Sequence, residues 1–209
     1  MLFGKAPTFY LKPMLMIPLI IATSLSTSEL KNLLICALAF CWIGDVLLLF
    51  STRNSMYFIL GLVSFMAGHF FYIKLFARMI KNEGHQIKFY PIILSVVVLY
   101  LGGFYFWMSP YLGSMLVPVM VYAIVISAML YLAMLTYRKL DNPATIYLII
   151  GAFSFVFSDT ILAVNKFYTP LPLSSVWVMS TYILAPGSIV WGCLNLFRIM
   201  NSEMAVQKD

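Results

Sequence analysis

LLICALAFCWIGDVLLLF occupies residues 33–50 and contains one charged residue, Asp45. A stretch of about 20 mostly apolar residues is long enough to cross the hydrocarbon core of a bilayer as a helix. A helix is favoured in lipid because it satisfies every backbone polar group within its own segment. The stretch therefore predicts a transmembrane helix that carries an aspartate inside the hydrocarbon layer.

Six further apolar stretches of similar length predict helices of the same kind, and short connections join them. The seven predicted spans are Phe9–Leu25, Leu33–Phe50, Met56–Phe76, Phe89–Trp107, Leu112–Tyr137, Ala144–Val164 and Ser174–Phe197. No linker or low-complexity tract separates them. We therefore expect one all-α domain over residues 1–209, folded as a polytopic integral membrane helical bundle.

The composition supports a bilayer as the solvent. Apolar residues make up 63% of the chain and charged residues 10%, whereas a soluble domain carries about 25% charged residues. The net charge of +6 raises the question of nucleic-acid binding. Because the basic residues are scattered at the ends of apolar stretches, they are typical of interfacial anchors, and we expect membrane lipids rather than nucleic acid as partners.

The distribution of lysine and arginine predicts the orientation of the bundle. One side receives four basic residues and an uncharged turn near Pro110, and the other side receives nine basic residues. The four are Lys5, Lys12, Arg53 and Lys166; the nine are Lys31, Lys74, Arg78, Lys81, Lys88, Arg138, Lys139, Arg198 and Lys208. Since the positive side usually faces the cytoplasm, the N-terminus is expected outside and the C-terminus inside. The expected location is multi-pass in a membrane, the cell inner membrane if the source is bacterial.

Two local patterns concern helix packing. Gly61, Ser64 and Gly68 follow one another at i, i+3 and i+7 in the third span, and small residues at this spacing permit close contact between membrane helices. Pro186-Gly187 lies near the middle of the last span, where proline removes a backbone donor and predicts a kink.

Asp45 and Asp159 are the acidic residues that lie inside apolar stretches. An aspartate at mid-helix costs about 2.5–3.5 kcal/mol on insertion scales, so both should face the bundle interior or a wet cavity. Counted back from Arg53 and Lys166, both lie roughly 10–12 Å below the same face. The two carboxyl groups are thus expected to share one site.

Two carboxylates in a dry pocket should not both be ionised, because desolvation and mutual repulsion favour a proton on one of them. A carboxylic acid beside a carboxylate forms an acid–base pair suited to hydrolysis. Two alternatives stay open. Each aspartate can instead be bonded to a hydroxyl of a neighbouring helix, or the pair can belong to a proton- or ion-coupled transport path.

His69 and Tyr72 share one helix face in the sequence AGHFFYI. A lone histidine in a membrane helix is more often a helix–helix hydrogen bonder than a ligand. The same inward orientation would let His69 act in catalysis, and would let Tyr72 orient a head group or a water. Counting residues places His69 ~8 Å deeper than the two aspartates.

Polar residues near the outer face are candidates for substrate contacts. Lys12 and Lys166 suit a snorkelling anchor or a phosphate contact at the mouth of a cavity. Asn165 ends the sixth helix at the same face, and Tyr182 lies in the outer half of the seventh.

Neither a metal nor a serine nucleophile is expected. A zinc hydrolase needs about three protein ligands, whereas the chain has two histidines and no cysteine pair at ligand spacing. Asp45, Asp159 and His69 would form a minimal set of ligands if a metal were bound. There is no G-x-S-x-G sequence.

The order of these motifs carries a family resemblance. Lys12-Pro13 opening a helix, then WIGDVLLL, AGHFFYI and FSDTILAVNKF, resembles the YhhN family of lysoplasmalogenases over about Leu11 to Leu194. The resemblance implies an integral membrane hydrolase. It would cleave the vinyl ether of a lysoplasmalogen to a fatty aldehyde and glycerophosphoethanolamine or glycerophosphocholine. The motif positions that carry over are Asp45, His69, Tyr72, Asp159, Lys12 and Asn165.

Two features depart from the family pattern. Family members usually have a further helix before the Lys-Pro segment, so the resemblance implies an eight-helix plan of which seven helices are expected here. The last helix reads YILAPGS, where the family more often has a polar side chain after the alanine.

Vinyl-ether hydrolysis needs a proton donor, a negative charge near the resulting cation, and water. Asp45 and Asp159 would supply the first two, in roles that the sequence leaves unassigned, and no cofactor is required. A lysophospholipid is therefore the expected substrate. The alternatives are a small proton-linked transporter that uses the same pair, and a non-catalytic lipid-binding membrane protein.

Overall fold

The computed structural model describes residues 6–51, 53–87 and 90–206. Its side chains are described from residue 14 onward, except at 174–175, 201 and 203–206.

The described residues fold into seven α-helices, and they contain no β-strand. The helices are α1 (Ala6–Ser24), α2 (Lys31–Leu49), α3 (Ser55–Asn82), α4 (Pro91–Leu112), α5 (Leu116–Leu140), α6 (Thr145–Phe167) and α7 (Ser174–Val206). The predicted all-α class is confirmed. Helices α3 to α7 all continue past their predicted C-terminal ends, and α7 goes furthest, to Val206 against the predicted Phe197. The backbone hydrogen bonds of a helix do not require apolar side chains, so a helix can outlast its apolar stretch.

Local sequence explains several helix ends. The side-chain oxygen of Asn54 accepts a hydrogen bond from the backbone N–H of Met56 at 2.9 Å and so caps α3. Pro91 opens α4, where its missing N–H is not needed. Asp141 ends α5 in the left-handed conformation, with φ of 40°.

The turn between α4 and α5 differs from the prediction. Pro110 lies in the last turn of α4 and not in the connection. The chain reverses instead at a short 3-10 turn, Gly113–Met115, where Gly113 has a φ of 50°. Glycine adopts this conformation without a Cβ clash, which is why the turn forms there.

Five stretches are long and apolar enough to cross a bilayer, and one of them, Pro91–Leu140, contains both α4 and α5. Met14–Ser24 is a shorter apolar helix. The structure therefore supports a multi-pass membrane protein. The count of seven crossings and the orientation of the termini stay predictions.

Six of the helices form a closed ring. In order around it, α1 contacts α2, α2 contacts α3, α3 contacts α5, α5 contacts α6, α6 contacts α7, and α7 returns to α1. Helix α4 lies outside this ring against α5 and α6. Its outward side chains are strongly exposed, as at Leu99 (74%) and Phe106 (80%), as expected for a surface that faces lipid.

Small residues allow two helix pairs in the ring to approach closely. A Cβ atom added at Gly68 would lie 2.9 Å from the Cys41 sulfur and 3.0 Å from the Ala37 carbonyl oxygen, both on α2. The Ser64 hydroxyl donates a hydrogen bond to the carbonyl oxygen of Phe40 at 2.6 Å. The predicted packing role of the small residues in α3 is confirmed.

The contact between α6 and α7 depends on glycine in the same way. A Cβ atom added at Gly151 would lie 2.5 Å from Ile189 Cγ1 and 2.6 Å from the Ala185 carbonyl oxygen. Helix α7 continues through the neighbouring Pro186, so proline does not end it, and the kink stays a prediction.

Candidate functional site

Asp159 projects from α6 into the space between helices. Its side chain is 23% exposed, and the hydroxyl of Tyr122, on α5, donates a hydrogen bond to Oδ2. The prediction that this aspartate faces the interior or a cavity is confirmed. Its hydroxyl partner removes part of the cost of placing a carboxyl group in an apolar environment.

His69 completes a three-residue cluster. Its ring is fully buried, and Nε2 lies 2.9 Å from the Tyr122 hydroxyl oxygen and 3.9 Å from Asp159 Oδ2. A tyrosine has a single hydroxyl proton. Because that proton goes to Asp159, we infer that His69 donates its Nε2 proton to Tyr122.

His69 lies close to Asp159 despite the difference in depth predicted for the two residues. Counting residues placed it ~8 Å deeper, yet the two side chains approach to 3.9 Å. The count assumed that every helix is upright and ends in one plane. Side chains also reach several ångströms along the bundle, so a difference in Cα depth does not preclude contact.

Asp45 lies inside the ring of helices. It is 3% exposed, and it accepts a hydrogen bond from the hydroxyl of Tyr182, on α7, which is also 3% exposed. The inward orientation predicted for Asp45 is confirmed. The bond joins α2 to α7 across 137 residues of sequence.

Phe155 lies next to both His69 and Tyr182. Its ring centroid is 5.2 Å from that of His69 and 6.1 Å from that of Tyr182. The Phe155 ring thus contacts His69, which lies beside Asp159, and Tyr182, which is bonded to Asp45. That the carboxyl groups share a single site stays a prediction.

An apolar cleft of about 50 Å³ opens beside Asp159, between α2, α3, α4, α5 and α6. Its polar lining consists of four side chains: Tyr100, Tyr122, Asp159 and Thr160. The apolar lining consists of Leu48, Phe58, Leu62, Phe65, Phe104, Val119, Ala123, Ile126, Val156, Leu162, Ala163 and Phe167. A mostly apolar cleft with a few convergent polar groups is the usual form of a small-molecule site. Asp45 does not line it.

A cation lies beside this cleft. The Lys166 ammonium is 4.3 Å from the centroid of the Phe58 ring and 5.9 Å from that of Phe167. Both rings line the cleft, so the exposed side chain of Lys166 lies next to its wall. An ammonium over aromatic faces is held there by electrostatic attraction.

A model of the YhhN family matches residues 8–193, a range that includes Asp45, His69 and Asp159. The chain belongs to the YhhN family. No curated protein and no solved structure matches it. The resemblance carried by the sequence motifs is therefore confirmed.

Two other predicted site residues of this YhhN protein, Asn165 and Tyr72, lie apart from the cleft lining. The side-chain oxygen of Asn165 accepts a hydrogen bond from the Leu171 backbone N–H at 3.0 Å, which ties down the connection after α6. Tyr72 is fully buried against Phe76 and Phe155. The side chain of Lys12 lies outside the described residues. Their roles in substrate binding stay predictions.

The minimal metal set does not form. Among the residues that the structure describes, no three His, Cys, Asp or Glu side chains are grouped to hold an ion. The suggestion that Asp45, Asp159 and His69 could do so is therefore wrong. The reason is the ring of helices, which gives each aspartate its own tyrosine.

Sequence reasoning missed the hydroxyl groups around Asp159 in this YhhN protein. Besides Tyr122, these include Thr160, whose hydroxyl lies 2.7 Å from the Tyr100 hydroxyl and donates to the Val156 carbonyl oxygen at 2.7 Å. A signal was available, because a buried tyrosine hydroxyl usually has a partner. The sequence could not show which acid each tyrosine meets.

Proposed function

We propose that this YhhN protein is a lysoplasmalogenase-type hydrolase, which cleaves the vinyl ether of an alkenyl lysophospholipid to a fatty aldehyde and a glycerophospho head group. The observation that carries the proposal is Asp159, an acid on the wall of a mostly apolar cleft. Membership of the family supports it.

The cleft and Lys166 together suit a single-chain phospholipid. The apolar lining contacts the part of the alkenyl chain next to the vinyl ether, and the Lys166 ammonium attracts the phosphate. Asp159 and Lys166 are seven residues apart on α6, which is two helical turns and about 10 Å along the axis. An extended glycerophosphate covers a distance of this order, so the vinyl ether can lie beside Asp159 while the phosphate lies near Lys166.

The first chemical step is a proton transfer to carbon. The carboxylic acid of Asp159 gives its proton to the β-carbon of the vinyl ether, where a C–H bond forms from the π electrons. The α-carbon and ether oxygen become an oxocarbenium ion, and Asp159 becomes a carboxylate. A carboxylate beside a developing cation stabilises it strongly where water is scarce.

The second step restores the acid. Water adds to the oxocarbenium carbon, and the Asp159 carboxylate accepts the proton that the water loses. The resulting hemiacetal then breaks its bond to the glycerol oxygen, with its hydroxyl proton passing to that oxygen. The products are an aldehyde and an alcohol, and no cofactor is consumed.

Asp45 is assigned the second acidic role in this proposal. Asp45 does not line the cleft. We therefore give it no contact with the substrate, and its carboxylate stabilises the oxocarbenium ion from a distance. Charges interact over longer distances in a low-dielectric interior than in water.

The test uses purified protein in detergent micelles with a 1-alkenyl lysophospholipid, and the saturated 1-alkyl analogue as the control substrate. The alkenyl lipid should yield aldehyde and the water-soluble head group by mass spectrometry, and the alkyl lipid should yield neither. In D₂O the aldehyde should carry one deuterium on the carbon next to the carbonyl, since protonation occurs there. Intact lipid after prolonged incubation, with substrate-dependent proton flux in sealed vesicles, would favour a transporter instead.

A further inference from the structure

The Tyr122 hydroxyl is the one group that contacts both Asp159 and His69 in this cluster. We propose that Tyr122 is a positioning residue, which, held by His69, binds Oδ2 of Asp159 and so leaves the transferable proton on Oδ1. This inference rests on the proposed function, in which Asp159 is the acid.

The direction of the hydrogen bonds supports this assignment. Tyr122 donates its proton to Asp159 Oδ2. A tyrosine has one hydroxyl proton, so we assign His69 Nε2, which lies 2.9 Å from the Tyr122 oxygen, as the donor to Tyr122. An oxygen that accepts such a bond is the carbonyl oxygen of a carboxylic acid, because the acid proton would otherwise meet the tyrosine proton head-on. The acid proton therefore lies on Oδ1, to which no described residue donates a hydrogen bond.

The surroundings of His69 show why it acts through Tyr122. The imidazole is fully buried, with the Phe155 ring edge-on at 5.2 Å. Within the described part of the chain, its Nδ1 atom has no hydrogen-bond partner. Among the described residues, the hydrogen bond of the His69 imidazole goes to Tyr122, so the imidazole fixes the tyrosine hydroxyl rather than the substrate.

A matched control lies on the same helix. The Tyr131 hydroxyl accepts a hydrogen bond from the Tyr90 backbone N–H at 3.1 Å, and it is not part of the cleft lining. Tyr131→Phe removes a phenol hydroxyl from α5, as Tyr122→Phe does, without affecting Asp159.

The first experiment is infrared spectroscopy of the wild type and its variants in acidic buffer, which does not depend on any activity. The carboxyl band of Asp159 is identified by its loss in Asp159→Asn. Tyr122→Phe should move this band to higher frequency, because the carbonyl loses its hydrogen bond, and Tyr131→Phe should leave it in place. An unchanged band in Tyr122→Phe would overturn the positioning role, whether or not the wild type hydrolyses lipid.

The second experiment measures aldehyde release. Tyr122→Phe should lower kcat by about 10- to 100-fold, the size expected when an acid is misplaced, while KM stays near the wild-type value. Tyr131→Phe should keep both constants. A change in KM alone would contradict the proposal, since Tyr122 would then only shape the cleft.

The third experiment separates His69 from Tyr122. His69→Leu removes the donor, whereas His69→Gln retains an amide N–H near the position of Nε2, so the glutamine variant should lose less kcat. In the Tyr122→Phe background, His69→Leu should have no further effect, because groups that act in series are not additive. Fully additive losses would show that His69 acts independently. An inactive wild type would overturn the proposed function, and the infrared result would still decide the positioning role.

Discussion

His69 Nε2 lies 3.9 Å from Asp159 Oδ2, and the Tyr122 hydroxyl is hydrogen-bonded to both atoms. The three side chains come from α3, α6 and α5, so the cluster ties together three helices of the ring. Each side chain forms a hydrogen bond with another member of the cluster. In an apolar interior, a polar group without such a partner costs about 1–3 kcal/mol. Substitutions in this cluster should therefore affect stability and activity together, and both need to be measured.

Asp159→Asn should lower the rate of aldehyde release by about 10²- to 10⁴-fold, because the amide cannot donate the acid proton. Asp141→Asn is the matched control. Asp141 lies in the connection after α5 with a φ of 40°, a conformation that asparagine also adopts. Mass spectrometry of the aldehyde compares the two variants, and full activity of Asp159→Asn would refute the assigned chemistry.

Asp45→Asn should lower kcat by about tenfold or more, which corresponds to about 1.4 kcal/mol of barrier for each tenfold change. The charge that favours the oxocarbenium ion is lost, while the amide oxygen still accepts a bond from Tyr182. Tyr182→Phe removes the bond and keeps the carboxyl group, so it should retain more activity. If Asp45→Asn hydrolyses lipid at the wild-type rate, Asp45 serves only to join α2 to α7.

Lys166→Gln should raise KM by about two- to fivefold without changing kcat, since an exposed ion pair contributes at most about 1 kcal/mol. Lys74→Gln is the control, because the Lys74 ammonium also lies over two phenyl rings, 4.7 Å from the centroid of Phe70 and 5.9 Å from that of Phe71. Steady-state kinetics at low and high salt should show the difference shrinking as salt rises. Equal KM values for the two variants would exclude Lys166 from phosphate binding.

Gly151→Ala should lower the free energy of unfolding by about 1–3 kcal/mol, the usual effect of overpacking. The new Cβ would lie 2.6 Å from the Ala185 carbonyl oxygen, so α6 and α7 must move apart. Gly103→Ala should act in the opposite direction, by up to about 1 kcal/mol, because nothing lies within 4 Å of its Cβ position. Thermal unfolding in detergent micelles measures both, and a stabilised Gly151→Ala would disprove the close contact.

Much of the architecture was predictable because a membrane helix is a local structure. Each apolar stretch must satisfy its own backbone, so its length and composition mark the helix without reference to the rest of the chain. The cost of a charge in lipid likewise indicated that Asp45 and Asp159 point inward. The motif order was also enough to predict the family, which the match over residues 8–193 confirms.

The arrangement of the helices was not predictable in the same way. In the structure α3 contacts α5, and α4 lies outside the ring. Lipid tails are as apolar as leucine, so an apolar face does not indicate whether a helix turns it toward lipid or toward another helix. Counting residues could not resolve this, and it could not show that the His69 and Asp159 side chains approach to 3.9 Å.

The chain alone therefore determined the helices, the inward acids and the family, since these depend on local composition and on motifs read in order. Only the tertiary structure decided that Tyr122 meets Asp159 across 37 residues and His69 across 53. It also decided that Asp159, and not Asp45, lines the cleft. Such pairings depend on which helices are neighbours and on how each helix is rotated about its axis. Many arrangements of the same apolar helices would be equally compatible with the bilayer, so the sequence of each helix does not determine its neighbours.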